Sequence, residues 1–173
     1  MSKLDLTTAL GRLLTNALLR SEFKRSPRDT AARLTLRDED LESFLALDPA
    51  DLEVQAKTLL HKRYGEVSRL IPLSLARLES AAWSLFEAYS LTGWPEGPQR
   101  HLQDAAGFAE YLNRLGHVVA KAEIHRLRFI LRENRFSACW VRDLLIRGRH
   151  HPGVQVLYRS GGQVHALALY LRV

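Results

Sequence analysis

The hydrophobic repeat of this chain changes period once, after Phe136, from the 3.6-residue spacing of helices to the two-residue alternation of strands. Val154, Val156 and Tyr158 alternate with Gln155, Leu157 and Arg159. Beyond Gly161-Gly162, His165, Leu167, Leu169 and Leu171 alternate with Val164, Ala166, Ala168 and Tyr170. Two such runs joined by paired glycines predict a β-hairpin, because glycine adopts the positive φ of a tight turn without steric cost. Residues 140–146 read as a third strand in preference to a short helix. The pattern is that of a mainly α chain with a small C-terminal β element, an α+β fold.

Upstream of the switch, proline and acidic residues punctuate helices. Leu6, Leu10, Leu13, Leu14 and Ala17 recur on one face of a first helix. Ser26-Pro27-Arg28-Asp29 offers a cap, a proline at the first helical position and an acid in the first turn, predicting a short helix to Leu34. Asp38, Glu39 and Asp40 favour another start, running to Leu47, by complementing the helix dipole. Asp48-Pro49-Ala50-Asp51 opens the central helix, whose stripe is Leu52, Ala56, Leu59, Leu60, Val67, Leu70 and Ile71 until Pro72 ends it. A helix over 74–91 carries Leu75, Leu78, Ala82, Leu85, Phe86 and Tyr89. Two glycines and two prolines within 92–98 then force a shaped loop, pinned by Trp94. A helix over 98–115 buries Leu102, Ala105, Phe108, Leu112 and Leu115 and ends at a left-handed Gly116; 119–132 forms the last.

Charge divides the chain near the same place. Of 25 basic and 19 acidic residues, ten bases and three acids lie in 117–173, a net +7, which leaves the other 116 residues at −1. The expected organisation is a helical, partner-binding body over 1–116 and a basic, peptide-binding module over 117–173, holding an acidic partner by charge and exposed backbone. At 46% hydrophobic and 25% charged, the composition is that of a globular protein. Apolar runs such as Ala166 to Leu169 are far too short for a membrane span, and Asp5, Thr7 and Thr8 interrupt any signal-peptide core, so a cytoplasmic location is expected.

Chemistry-bearing patterns are sparse. A single cysteine excludes an intrachain disulfide, and Cys139 between Ala138 and Trp140 suits a small buried side chain. His150 and His151 are adjacent, so most backbones aim them apart. His117 and His125 are eight residues apart, a poor match to the i, i+4 spacing that brings two imidazoles to one ion. Ser160-Gly161-Gly162 is a turn, lacking the strand-to-helix elbow of a catalytic serine. No catalytic residue and no metal ligand is nominated, and the chain is not expected to be an enzyme by itself.

Between Leu45 and Leu115, three phrases carry a resemblance. They are Leu-Ala-Leu-Asp-Pro-Ala-Asp-Leu-Glu-Val-Gln-Ala-Lys-Thr-Leu-Leu-His-Lys-Arg, then Glu66-Val67-Ser68-Arg69-Leu70-Ile71-Pro72, then Gly93-Trp94-Pro95-Glu96-Gly97 with His101-Leu102-Gln103-Asp104-Ala105. The chain resembles the small helical auxiliary proteins encoded beside multinuclear non-haem iron oxidases that modify ribosomally made peptides (RiPPs). The resemblance implies a winged-helix-like, RiPP-recognition-element-like module in which a leader peptide adds a strand to a sheet edge. It also implies that iron resides in the larger partner, with no cofactor in this chain, and that the two form a heterodimer. Strands at the end of the chain depart from the common clamp pattern and leave the receiving edge open. The residues expected to meet the precursor peptide are Arg142, Arg147, Arg149, Arg159, Tyr158, His165 and Tyr170. Those expected to meet the partner are Trp83, Tyr89, Trp94, Pro95, Arg100 and His101. The competing expectation is winged-helix nucleic-acid binding, disfavoured because no helix carries a dense arginine stripe with Asn or Gln for base reading, Arg128, Arg132 and Arg135 being the nearest approach.

Overall fold

The structure, a computed structural model, describes residues 3–170, so the strand alternation expected to reach Leu171 lies outside the described residues at that end. The chain forms nine α-helices and one three-stranded antiparallel sheet among those residues, and it falls into two compact units. The first comprises residues up to Arg63 together with Ser90–Trp94, and the second Tyr64–Tyr89 and everything from Pro95 onward. This partition by compactness is separate from the division by charge at Gly116.

The first unit contains α1 (Leu6–Thr15), α2 (Ala17–Arg25), α3 (Pro27–Leu34), α4 (Leu41–Leu45) and the beginning of α5 (Pro49–Leu70). The single amphipathic helix expected through Ala17 is two helices. Asn16 leaves helical geometry at φ −124°, while its amide still donates to the Arg12 carbonyl and its Oδ1 accepts from the Leu19 amide at 3.0 Å. One residue therefore ends α1 and caps α2, which hydrophobic periodicity alone does not reveal. The two helices then contribute Ala9, Leu13, Leu19 and Phe23 to a core closed by Leu34, Phe44 and Leu52, with Phe23 and Phe44 edge to face at 5.1 Å. Asp38–Asp40 forms a 3-10 turn ahead of α4, so the helix expected from Asp38 begins three residues later.

The second unit holds the end of α5, α6 (Pro72–Ala76), α7 (Ala82–Ser90), α8 (Arg100–Arg114), α9 (Lys121–Leu131) and the sheet. Pro72 ends α5 and opens α6, as its missing amide requires. The helix expected over 74–91 is interrupted by a 3-10 turn at Glu79–Ala81, with Glu79 at φ 48° in the left-handed region. The Leu78 amide bonds three residues back to Leu75, which tightens the chain there and leaves Leu78 and Leu75 both nearly buried. The α8 terminus forms a Schellman motif: Gly116, at φ 84°, donates to the Asn113 carbonyl at 3.1 Å and His117 to Leu112 at 3.0 Å.

Strands β1 (Phe136–Ile146), β2 (Arg149–Ser160) and β3 (Gln163–Tyr170) form a meander with β2 in the centre and free edges on β1 and β3. Residues 140–146 are strand. The β2–β3 turn is Gly161-Gly162, both at positive φ, as the paired glycines predict. The β1–β2 turn, Arg147-Gly148, repeats that geometry with φ 50° and 80°. β2 also begins five residues earlier than the alternation suggests and runs through Pro152, which cannot donate to a ladder. An extra residue in β1, between Val141 and Leu144, bulges opposite that proline and absorbs the missing bond. Gly153 next to it is forced by packing, because a Cβ there would collide with the β3 backbone at Leu169 and Tyr170.

Candidate functional site

The register sorts the sheet into two faces. Rows Ser137–Leu157–Ala166, Cys139–Gln155–Ala168 and Val141–Gly153–Tyr170 share the side on which α9 packs, since His125 of α9 bonds both Ser137 and Gln155. Rows Phe136–Tyr158–His165, Ala138–Val156–Leu167 and Trp140–Val154–Leu169 make the other side, with no formal charge among them. Phe136 (65%), Leu167 (54%) and Leu169 (65%) are more than half exposed, and Trp140 is exposed at 47%. The more hydrophobic face of the sheet thus points outward, the reverse of the usual apolar-in arrangement.

α9 is fixed at both ends. At its start, the Glu123 carboxylate accepts from the Leu73 and Ser74 amides at 2.6 and 2.9 Å and from the Ser74 hydroxyl at 2.6 Å, while that hydroxyl accepts from the Ala120 amide at 2.9 Å. At its end, Arg159 of β2 donates to the Ile130 and Asn134 carbonyls, each at 3.0 Å, and lies 5.5 Å from the Phe129 ring centre. A cation there complements the negative end of the helix dipole. In the middle, His125 Nδ1 and Nε2 lie 2.8 Å from Gln155 Oε1 and Ser137 Oγ. With Nδ1 donating to the amide oxygen, a neutral ring accepts from the serine at Nε2.

Between α9 and edge strand β1 lies a cavity of about 230 Å³ lined by Lys121, Ile124, His125, Arg128, Phe129, Arg132, Asn134, Ser137 and Cys139. Lys121, His125, Arg128 and Arg132 share one helix face by their spacing. The three cations are exposed. Arg128 pairs with Glu110 at 3.2 Å, whereas Lys121 and Arg132 form no salt bridge among the described residues. Cys139 is half-buried at this cleft instead of enclosed in the core. Sequence reasoning missed the cleft. Its one available signal, the helical spacing of Lys121, Arg128 and Arg132, gains meaning only once β1 lies beside it.

The residues nominated for peptide contact do not converge. Arg142 sits exposed in the β1 bulge, Arg147 in the turn and Arg149 at the start of β2, whereas Arg159 lies ten residues further along that strand, roughly 34 Å away. Arg159 is half-buried and engaged in holding α9. Tyr158 and His165 stack at 5.0 Å on the outward face, while Tyr170 meets His151 at 5.0 Å on the other. Arg77 pairs with Asp143 beside the bulge.

The nominated partner residues belong to both units. In the first unit, half-buried Trp94 lies 5.5 Å from the Arg63 guanidinium, which donates to the Gly93 carbonyl at 2.8 Å. In the second, Trp83 stands edge-on to Tyr64 at 5.3 Å, and Tyr89 is 6% exposed with its hydroxyl donating to the Asp104 carbonyl. Pro95 and His101 are half-buried and Arg100 exposed.

Residues 46–114 match the family model described as SCO6045-like, C-terminal domain. That stretch spans α5 to α8 and contains nearly all of the phrases on which the resemblance above rests; it stops before α9 and the sheet. No curated protein and no solved structure matches the chain. Among the described residues, no three His, Cys, Asp or Glu side chains gather as a metal-ligand set, and no helix is long and apolar enough to cross a membrane.

Proposed function

We propose that this chain is a non-catalytic, cytoplasmic accessory subunit that binds an iron-dependent peptide-modifying oxidase as a heterodimer and presents the precursor peptide to it during natural-product biosynthesis. It resembles the small subunit of the TglHI complex of 3-thiaglutamate biosynthesis. The observation that carries the reading is a three-stranded sheet with two free edges inside a segment of net charge +7. Such an edge offers unpaired N–H and C=O groups to an extended peptide, and the surrounding charge steers an acidic one. The uncharged outward face, with Phe136 and Trp140 exposed, adds support for a protein partner, because contiguous apolar patches on soluble proteins usually mark interaction surfaces.

Co-purification of the chain with its genetic neighbours from its own cell tests the assignment. The expected complex contains this chain and one larger, iron-bearing subunit, and the chain separated from it retains no stoichiometric transition metal after chelation. Iron held stoichiometrically by the isolated chain, or a complex with nucleic acid and no second protein, contradicts the assignment.

A further inference from the structure

We infer that the cleft between α9 and the free edge of β1 is a binding site for an extended acidic peptide segment, whose carboxylates are received by Lys121, Arg128 and Arg132. The site deepens the accessory-subunit reading and rests on its peptide-binding step. Three observations meet there.

The first is the edge itself. β1 ends its regular pairing at Val141, before the bulge, so 136–141 offers a short flat edge for one added strand. The second is the wall beside that edge. Ser137 and Cys139 of β1 and the exposed cations of α9 line one cavity. A strand added along β1 would therefore turn every second side chain toward α9, about 7 Å apart. Arg128 and Arg132 rise about 6 Å from one another along the helix, a spacing that two carboxylates at i and i+2 can meet. The third is chemical. This wall already holds one carboxylate, Glu110 on Arg128, while Lys121 and Arg132 face solvent without an ion-pair partner among the described residues. Arginine selects carboxylates through paired N–H donors, which fixes register as well as sign. The cations lie on the β1 side of the sheet, whereas β3 from Gln163 to Tyr170 contributes no Lys or Arg of its own.

The test uses the full chain and two fluorescein-labelled octapeptides, one alternating valine with glutamate and the other valine with glutamine. Fluorescence anisotropy at physiological salt should show the glutamate peptide binding at least about tenfold more tightly than the glutamine peptide. The double variant Lys121→Gln/Arg132→Gln changes two exposed side chains and should unfold at the wild-type temperature, yet lose about tenfold in affinity for the glutamate peptide alone. Hydrogen exchange should slow within 136–141 on binding and stay unchanged within 163–170. Equal binding of the two peptides, an unaffected double variant, or protection on β3 instead of β1 overturns the site while leaving strand addition standing. Failure of both peptides to bind overturns the site and the peptide step of the accessory reading together.

Discussion

Glu123 joins two helices through one carboxylate. It accepts both amides at the start of α6 together with the buried Ser74 hydroxyl. Removing it leaves several nearly buried donors without a partner, and each such group costs about 1–3 kcal/mol. Glu123→Ala should accordingly lower stability by about 3 kcal/mol in denaturant titration, with Glu123→Gln recovering part of the loss. Gly153 is constrained by space instead of polarity. Gly153→Ala pushes a methyl into the β3 backbone and should cost about 1–3 kcal/mol, seen as faster amide exchange throughout β2 and β3. Asp5 works at the surface: the Thr8 amide, donating at 2.7 Å, holds its carboxyl below the ordinary aspartate value. A lowered folded-state value means the cap contributes fully above the unfolded-state value and is lost as pH falls through the folded one. The gap in melting temperature between wild type and Asp5→Ala should therefore close in acid.

At the scale of elements, starts were more legible than stops. Pro27, Pro49 and Pro72 each open a helix at the position their missing amide dictates, and Gly116 and Gly161-Gly162 take the left-handed geometry that glycine permits. The breaks at Asn16 and Glu79 were hidden, because apolar spacing carries straight across them. Pro152 is an unfavourable strand residue, and the bulge on the neighbouring strand makes room for it. The cleft was illegible for a similar reason. Its cations are ordinary helix-surface residues until β1 is placed beside them, whereas Arg149 and Arg159, conspicuous along the sequence, lie at opposite ends of β2. Arg147 and Arg149 are not among the residues that line the cleft. Replacing both with Gln should change peptide affinity by less than threefold, against about tenfold for the α9 pair, in the same anisotropy titration.

For the molecule as a whole, the proposed function rests on keeping an uncharged, aromatic sheet face in water while a charged cleft opens on the other side of the same sheet. Trp140 and Leu169 lie in one row of the exposed face, so Trp140→Ser/Leu169→Ser should leave the fold intact. The double substitution should weaken the partner complex by about 2 kcal/mol or more by calorimetry, without altering peptide binding. The central claim is that the +7 segment serves strand addition and not phosphate contact. The most direct measurement compares the salt dependence of two ligands on the same full-length chain: the acidic peptide and a DNA duplex of matched charge. Backbone pairing is insensitive to ions, whereas duplex binding releases one counterion for each phosphate neutralised. The account predicts peptide affinity falling only a few-fold between about 0.05 and 0.15 M salt, and staying tighter than DNA at the upper value. Tighter duplex binding at that salt, with a log–log slope of several units, would contradict it.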